Sequence, residues 1–157
     1  MTRLLVDTSV LIKWFHSDGE SELEPSRALR SAHVHGEVHA HVLDLAIYEV
    51  GNVLVRALRW SATDVTDQLD DLQQILGPPL VMAPGWSRRT ATLAHEHSLS
   101  FYDASWAASA MELGIPLVSA DRRLLTVGLA ESPSDIRTRL KLGYSAPVVV
   151  QVDDNHV

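Results

Sequence analysis

At 157 residues the chain is long enough for one domain with a real core, and 46% apolar against 21% charged residues is an ordinary make-up for a soluble globular protein. Its apolar runs fall far short of the roughly 20 residues a membrane span needs, and the absence of cysteine excludes a disulfide framework and a thiolate metal site. Twenty Asp plus Glu against 13 Lys plus Arg, a net charge of −7, makes a poor non-specific coat for nucleic acid. The same balance suits an acidic pocket that holds divalent cations against phosphate.

Residues 3–6 (RLLV) read as a first strand, and Asp7-Thr8-Ser9 offers helix-capping chemistry before VLIKWF. Asp7 and Lys13 interrupt the N-terminal apolar segment, so it does not read as a secretory signal, and a cytoplasmic location is expected. Residues 20–35 are expected to be helical, with Pro25 near the first turn. VHAHV at 38–42 alternates like a strand. A long amphipathic helix is predicted over 43–59 and a more acidic one over 62–76, stopped by Gly77-Pro78-Pro79. LVMA at 80–83 reads as a short strand, 86–98 and 101–113 as helices, PLVSA at 116–120 as a strand, and PVVVQV at 147–152 as a last apolar run.

Strand and helix alternating in this way predict an α/β fold, a mainly parallel sheet with helices on both faces. Such sheets bind ligands beyond the carboxyl ends of their strands. Asp7 follows LLV and Asp121 follows LVSA, so both are expected at such ends. Neither repeats nor linkers divide the chain, and a single domain over 1–157 is expected.

Four acids stand out: Asp7, Glu49, Asp103 and Asp121. Glu49 shares a helix face with Ala46, Val50, Val53 and Ala57, where an unpartnered carboxylate is costly. It needs a partner, either a buried arginine or a metal-linked role. The other three have structural readings as well. Asp7 and Asp121 could serve as helix N-caps, and Asp103 lies three residues after Ser100 in a capping-box pattern. Together the four suggest one site assembled from separated elements. Oxygen-only ligation of this kind selects Mg²⁺ or Mn²⁺ over zinc.

Other residues weigh less. His33, His35, His39 and His41 have a spacing that could bind a transition metal, but histidines on an element edge explain them at least as well. His95 and His97 are expected to face solvent. Trp14, Phe15, Trp60, Trp86 and Trp106 are expected mostly in the core, with Trp14 and Phe15 open to an interface role.

The segments LLVDTSVLIKWF, DLAIYEVGNVLVRAL and LSFYDASWAASAMELGIPLVSADRRLL resemble the signature segments of PIN-domain proteins over roughly residues 3–127, and the small size resembles VapC-type toxins of bacterial toxin–antitoxin pairs. The resemblance implies a PIN-like three-layer α/β/α sandwich. It matches Asp7, Glu49, Asp103 and Asp121 to the four acids that hold Mg²⁺ or Mn²⁺ for endonucleolytic RNA hydrolysis. Asp7 and Asp103 would be the firmest ligands, Asp121 would complete the site, and Glu49 would bind a second ion or orient the attacking water. Ser119 would hydrogen-bond a ligand carboxylate or water, and Thr8 and Ser9 would shape the turn after Asp7. Where some relatives have a further acid, this chain has Arg122 and Arg123, which leaves one ion or two open. The resemblance also implies an RNA substrate, a homodimer and a small inhibitory antitoxin partner. A PIN nuclease of RNA processing without an antitoxin, and a non-catalytic interaction domain, are the alternatives.

Overall fold

The computed structural model describes residues 1–143. The expected apolar run at 147–152 therefore lies outside the described residues. Strand β1 (Thr2–Val6) occupies the middle of a three-stranded sheet of order β2-β1-β3, with β2 at Val38–His41 and β3 at Leu117–Val118. Both pairings are parallel, in register Leu4↔Ala40 and Leu5↔Leu117. Successive side chains of a strand point to opposite faces, and Leu4, Leu5 and Val6 are all fully buried. Both faces of β1 are therefore covered by helices, the arrangement expected of a parallel sheet.

Those helices are α1 (Thr8–Ile12), α2 (Leu23–Val34), α3 (Leu45–Asn52), α4 (Ala62–Leu76), α5 (Ser87–His97), α6 (Phe101–Leu113), α7 (Arg122–Thr126) and α8 (Pro133–Leu140). The expected α/β sandwich is thus present. Helix α6 packs on β1 and β3, and α2 on β2 and α8. The caps follow from sequence: Ser61, Ser100 and Ser132 each accept the N–H three residues on, and Gly77 ends α4 at φ +74°. Among the described residues no helix is long and apolar enough to cross a membrane.

Two expectations need correction. Residues 80–83 contribute a single rung, with Leu80 N–H donating to Val42 O and Leu80 O accepting from Asp44 N–H. Pro78 and Pro79 precede that rung and Pro84 opens a 3₁₀ turn soon after it, so little ladder can form. The helix expected over 43–59 is α-helical only to Asn52 and continues as a π-helical turn over Val53–Ala57. The wider turn changes the phase of the apolar stripe, so Leu54 is buried while Ala57 faces solvent.

Candidate active site

Asp7 leaves the carboxyl end of β1 as the N-cap of α1, and it is only 4% exposed. Its Oδ1 accepts the Ser9 backbone N–H and the Ser9 hydroxyl, and its Oδ2 accepts the Ser119 hydroxyl. Ser9 Oγ also accepts Ala120 N–H at 2.9 Å, and Ser119 Oγ accepts Asp121 N–H at 3.0 Å. The two serines thereby bind the end of β1 to the loop after β3. Burial outweighs these donors and raises the Asp7 carboxyl to about 6, with the charges of Glu49 and Asp121 adding to the rise.

Glu49 projects from α3, and its Oε1 accepts Thr8 Oγ1 at 3.1 Å and Trp106 Nε1 at 2.9 Å. Its carboxyl is pushed up by burial and then by the charges of Asp103 and Asp121, against the pull of the Trp106 and Thr8 donors. The partner that the sequence required is therefore an indole, not a buried arginine. Trp106 is 1% exposed, and a buried indole N–H needs an acceptor. Its position three residues after Asp103 on α6 was the available signal. Thr8 serves Glu49, and of the two residues it is Ser9 that bonds the Asp7 side chain in the turn, beside the Val10 and Leu11 N–H groups that donate to Asp7 O.

Asp103 stands in the first turn of α6, its N–H donating to Ser100 Oγ at 3.0 Å. Burial raises its carboxyl and the neighbouring Asp121 adds to this, while Ser100 and the Arg123 charge oppose it. Asp121 caps α7 by accepting Arg123 N–H at 2.8 Å. Capping and site geometry therefore coexist at three of the four acids. Mutual charge effects link Asp7, Glu49, Asp103 and Asp121 into one neighbourhood at the carboxyl ends of β1 and β3. Among the described residues, however, no three His, Asp or Glu side chains are gathered in an arrangement that could hold a metal ion. The carboxylates share a field without forming a finished coordination shell.

The donor set still suits a hard cation, since it is oxygen only and mutually repulsive. A carboxylate offers about four lone-pair sites. The three bonds to Asp7 leave its Oδ2 able to accept one more partner.

The histidines take local roles. His33 Nδ1 accepts Ala40 N–H, so its Nε2 carries the proton and donates to Ile75 O at 2.7 Å. His35 meets Ser31 O at the end of α2. His39 and His41 stack with centroids 4.1 Å apart, and His41 Nε2 accepts from Arg3. Burial and the nearby His39, Arg3 and His33 lower the His41 imidazole to about 4. His95 is exposed and His97 half-buried. Trp14 and Trp106 are buried, Trp86 is half-buried, and Phe15 packs edge-on against Trp60 at 5.9 Å.

The PIN domain family matches residues 4–129 of the chain. Exonuclease VapC9 of Pyrobaculum aerophilum is 36% identical over 84 residues, 54% of this chain and 63% of that protein. The chain thus matches less than two thirds of that relative's length. Ribonuclease VapC3 of the same organism is 29% identical over 126 residues, covering 78% of this chain and 92% of the relative. Among solved structures, PAE2754 from Pyrobaculum aerophilum superposes with a TM-score of 0.66 at 27% identity, over 89% of this chain and 90% of that one.

Proposed function

The chain belongs to the PIN-domain family, and from that premise we propose that it is a metal-dependent endoribonuclease acting as the toxin of a toxin–antitoxin pair. One observation carries the reading. Four acids from four separate segments share a single field, and the most buried of them, Asp7, is raised to about 6. Helix capping accounts for Asp7 and Asp121 singly but not for gathering four mutually repelling carboxylates, so the value of the cluster lies in what the charges hold. The names of the VapC relatives support the nuclease class.

In this reading Asp7, Asp103 and Asp121 would be the residues that hold Mg²⁺ or Mn²⁺. When bound, such an ion would supply neutralisation of phosphodiester charge and a more acidic water. Asp7 is kept in place by Ser9 and Ser119, so its free Oδ2 lone pair is oriented in advance. Glu49 is fixed through Oε1 by Thr8 and Trp106, which leaves Oε2 to take the proton of the attacking water. A general base works best when its pKa nears the working pH, and burial moves Glu49 in that direction. The antitoxin would cover apolar surface, of which Tyr48 and Val55 on the α3 segment offer an exposed part.

The test is cleavage of RNA by the purified chain with Mg²⁺, Mn²⁺ or EDTA, beside Asp7→Asn, using linear and circular RNA. Metal-dependent opening of the circle, lost by at least 100-fold in the variant, is expected. Cutting of linear RNA alone would make the enzyme an exonuclease. Equal activity in both proteins would assign the cleavage to a contaminant.

A further inference from the structure

Next to Asp121 lies a largely apolar groove with two arginines in its wall. The end of α5 and the outer side of α7 enclose about 450 Å³, lined by His97, Leu99, Arg122, Arg123, Thr126 and Val127. Both arginines are exposed, and neither makes an ion pair among the described residues. Four other cations are paired, Lys13 with Glu20, Arg89 with Glu112, Arg137 with Glu24 and Arg139 with Glu131, while Arg30, Arg56, Arg59 and Arg88 also make no ion pair among the described residues. In a chain of net charge −7, what sets Arg122 and Arg123 apart is that they adjoin each other and Asp121. They also sit close to the chemistry. Arg123 acts electrostatically on Asp103, and its backbone is tied to Asp121.

A second feature adjoins the acids along the chain. Phe101 and Tyr102 directly precede Asp103 in the first turn of α6, and they are 47% and 64% exposed. Two neighbouring rings exposed beside a site acid offer an apolar surface that a ligand could cover. Guanidinium groups and exposed rings in sequence are what a single nucleic-acid strand requires: charge for its phosphates and a flat apolar surface for an unpaired base. A duplex would offer no splayed base to the rings.

Resting on the nuclease reading, we propose that the groove between α5 and α7 is the RNA-binding track of this site. Arg122 and Arg123 hold backbone phosphates next to the scissile one, and Tyr102, flanked by Phe101, stacks on an unpaired base. Substrate is thereby restricted to single-stranded segments. The arginines also offset the repulsion between the polyanion and the acidic body of the protein, so their contribution falls as salt rises.

The experiment separates charge from stacking, and both from catalysis. Binding of a labelled single-stranded RNA to the Asp7→Asn protein is measured by fluorescence anisotropy across salt concentrations, with Arg122→Gln/Arg123→Gln, Tyr102→Ala and Tyr102→Phe added in turn. Each phosphate contact on a single strand contributes about 0.7 to the slope of log K against log salt. The double arginine variant should lower that slope by about 1.4. Tyr102→Ala should weaken binding about tenfold with the slope unchanged, and Tyr102→Phe should restore it. In the cleaving enzyme Arg122→Gln alone and Tyr102→Ala should raise KM several-fold, by a larger factor than they lower kcat. Arg30→Gln, on the exposed side of α2, is the control for loss of a surface charge. An unaltered slope and KM in the arginine variants would overturn the proposal and leave those side chains as solvated charge. Equal affinity for duplex and single-stranded RNA would overturn its stacking part. Failure of the unmodified chain to cleave RNA, with groove-dependent binding intact, would instead remove the nuclease reading and leave the binding site.

Discussion

Asp7 carries an energetic cost whose sign can be worked out. Its carboxyl ionises near 6 in the fold against an ordinary 3.8, so between those values the folded state binds more protons than the unfolded one. Stability therefore falls as pH rises from about 4 to 6, and the full penalty, roughly 3 kcal/mol, persists above that window. In EDTA, Asp7→Asn should be more stable than the native chain by about 1–3 kcal/mol at pH 8, and the gap should close near pH 4. Urea titrations at the two pH values measure this; a gap independent of pH would mean that ionisation is not its origin. Glu49 gives a second case. Trp106 Nε1 donates to the charged form and so holds its pKa down. Trp106→Phe keeps the ring and removes the donor, so the acidic limb of kcat/KM should move to higher pH, with the loss of activity confined to that limb. An unmoved limb would remove Glu49 as the base.

At the level of the elements, α3 combines what was legible in the sequence with what was not. The inward position of Glu49 was readable from its spacing with Ala46 and Val50, because both lie in the regular part of the helix. The π-helical turn at Val53–Ala57 was not, since helical periodicity assumes a constant advance per residue. The LVMA segment failed as a strand for a related reason: apolar composition cannot report ladder donors already removed by Pro78 and Pro79. The Ser100 and Asp103 pattern was legible and ambiguous, because one residue both belongs to the first turn of a helix and faces the acidic field. Position along the chain cannot rank those roles, whereas burial and neighbouring charge can. Gly51 within α3 carries a further prediction. A Cβ there would meet Leu69 Cδ1 at 3.8 Å, ordinary contact distance, and the backbone is already helical. Gly51→Ala should stabilise the fold by about 0.5–1 kcal/mol, read from the urea midpoint. Destabilisation would show that α3 and α4 approach more closely than this contact allows.

Across the whole molecule, the acidic field and the cation that would relieve it couple folding to metal concentration. A ligand that binds only the folded state adds RT ln(1 + [L]/Kd), about 2.7 kcal/mol at a hundredfold excess over Kd. Protons compete for the same oxygens, and with Asp7 near 6 and both Glu49 and Asp103 raised, that competition is strong in mild acid. Adding Mn²⁺ should therefore raise the melting temperature clearly at pH 8 and little at pH 5, with EDTA reversing the gain. The carboxylates are not closed into a shell on their own, so part of the binding energy goes into drawing them together against their repulsion. Affinity should accordingly be modest, and the gain should keep growing across millimolar Mn²⁺. In Asp7→Asn it should nearly vanish, because one charge and the oriented Oδ2 are lost together. A pH-independent rise, or one that survives in Asp7→Asn, would place the ion elsewhere, with the His39–His41 pair as the next site to test by substitution.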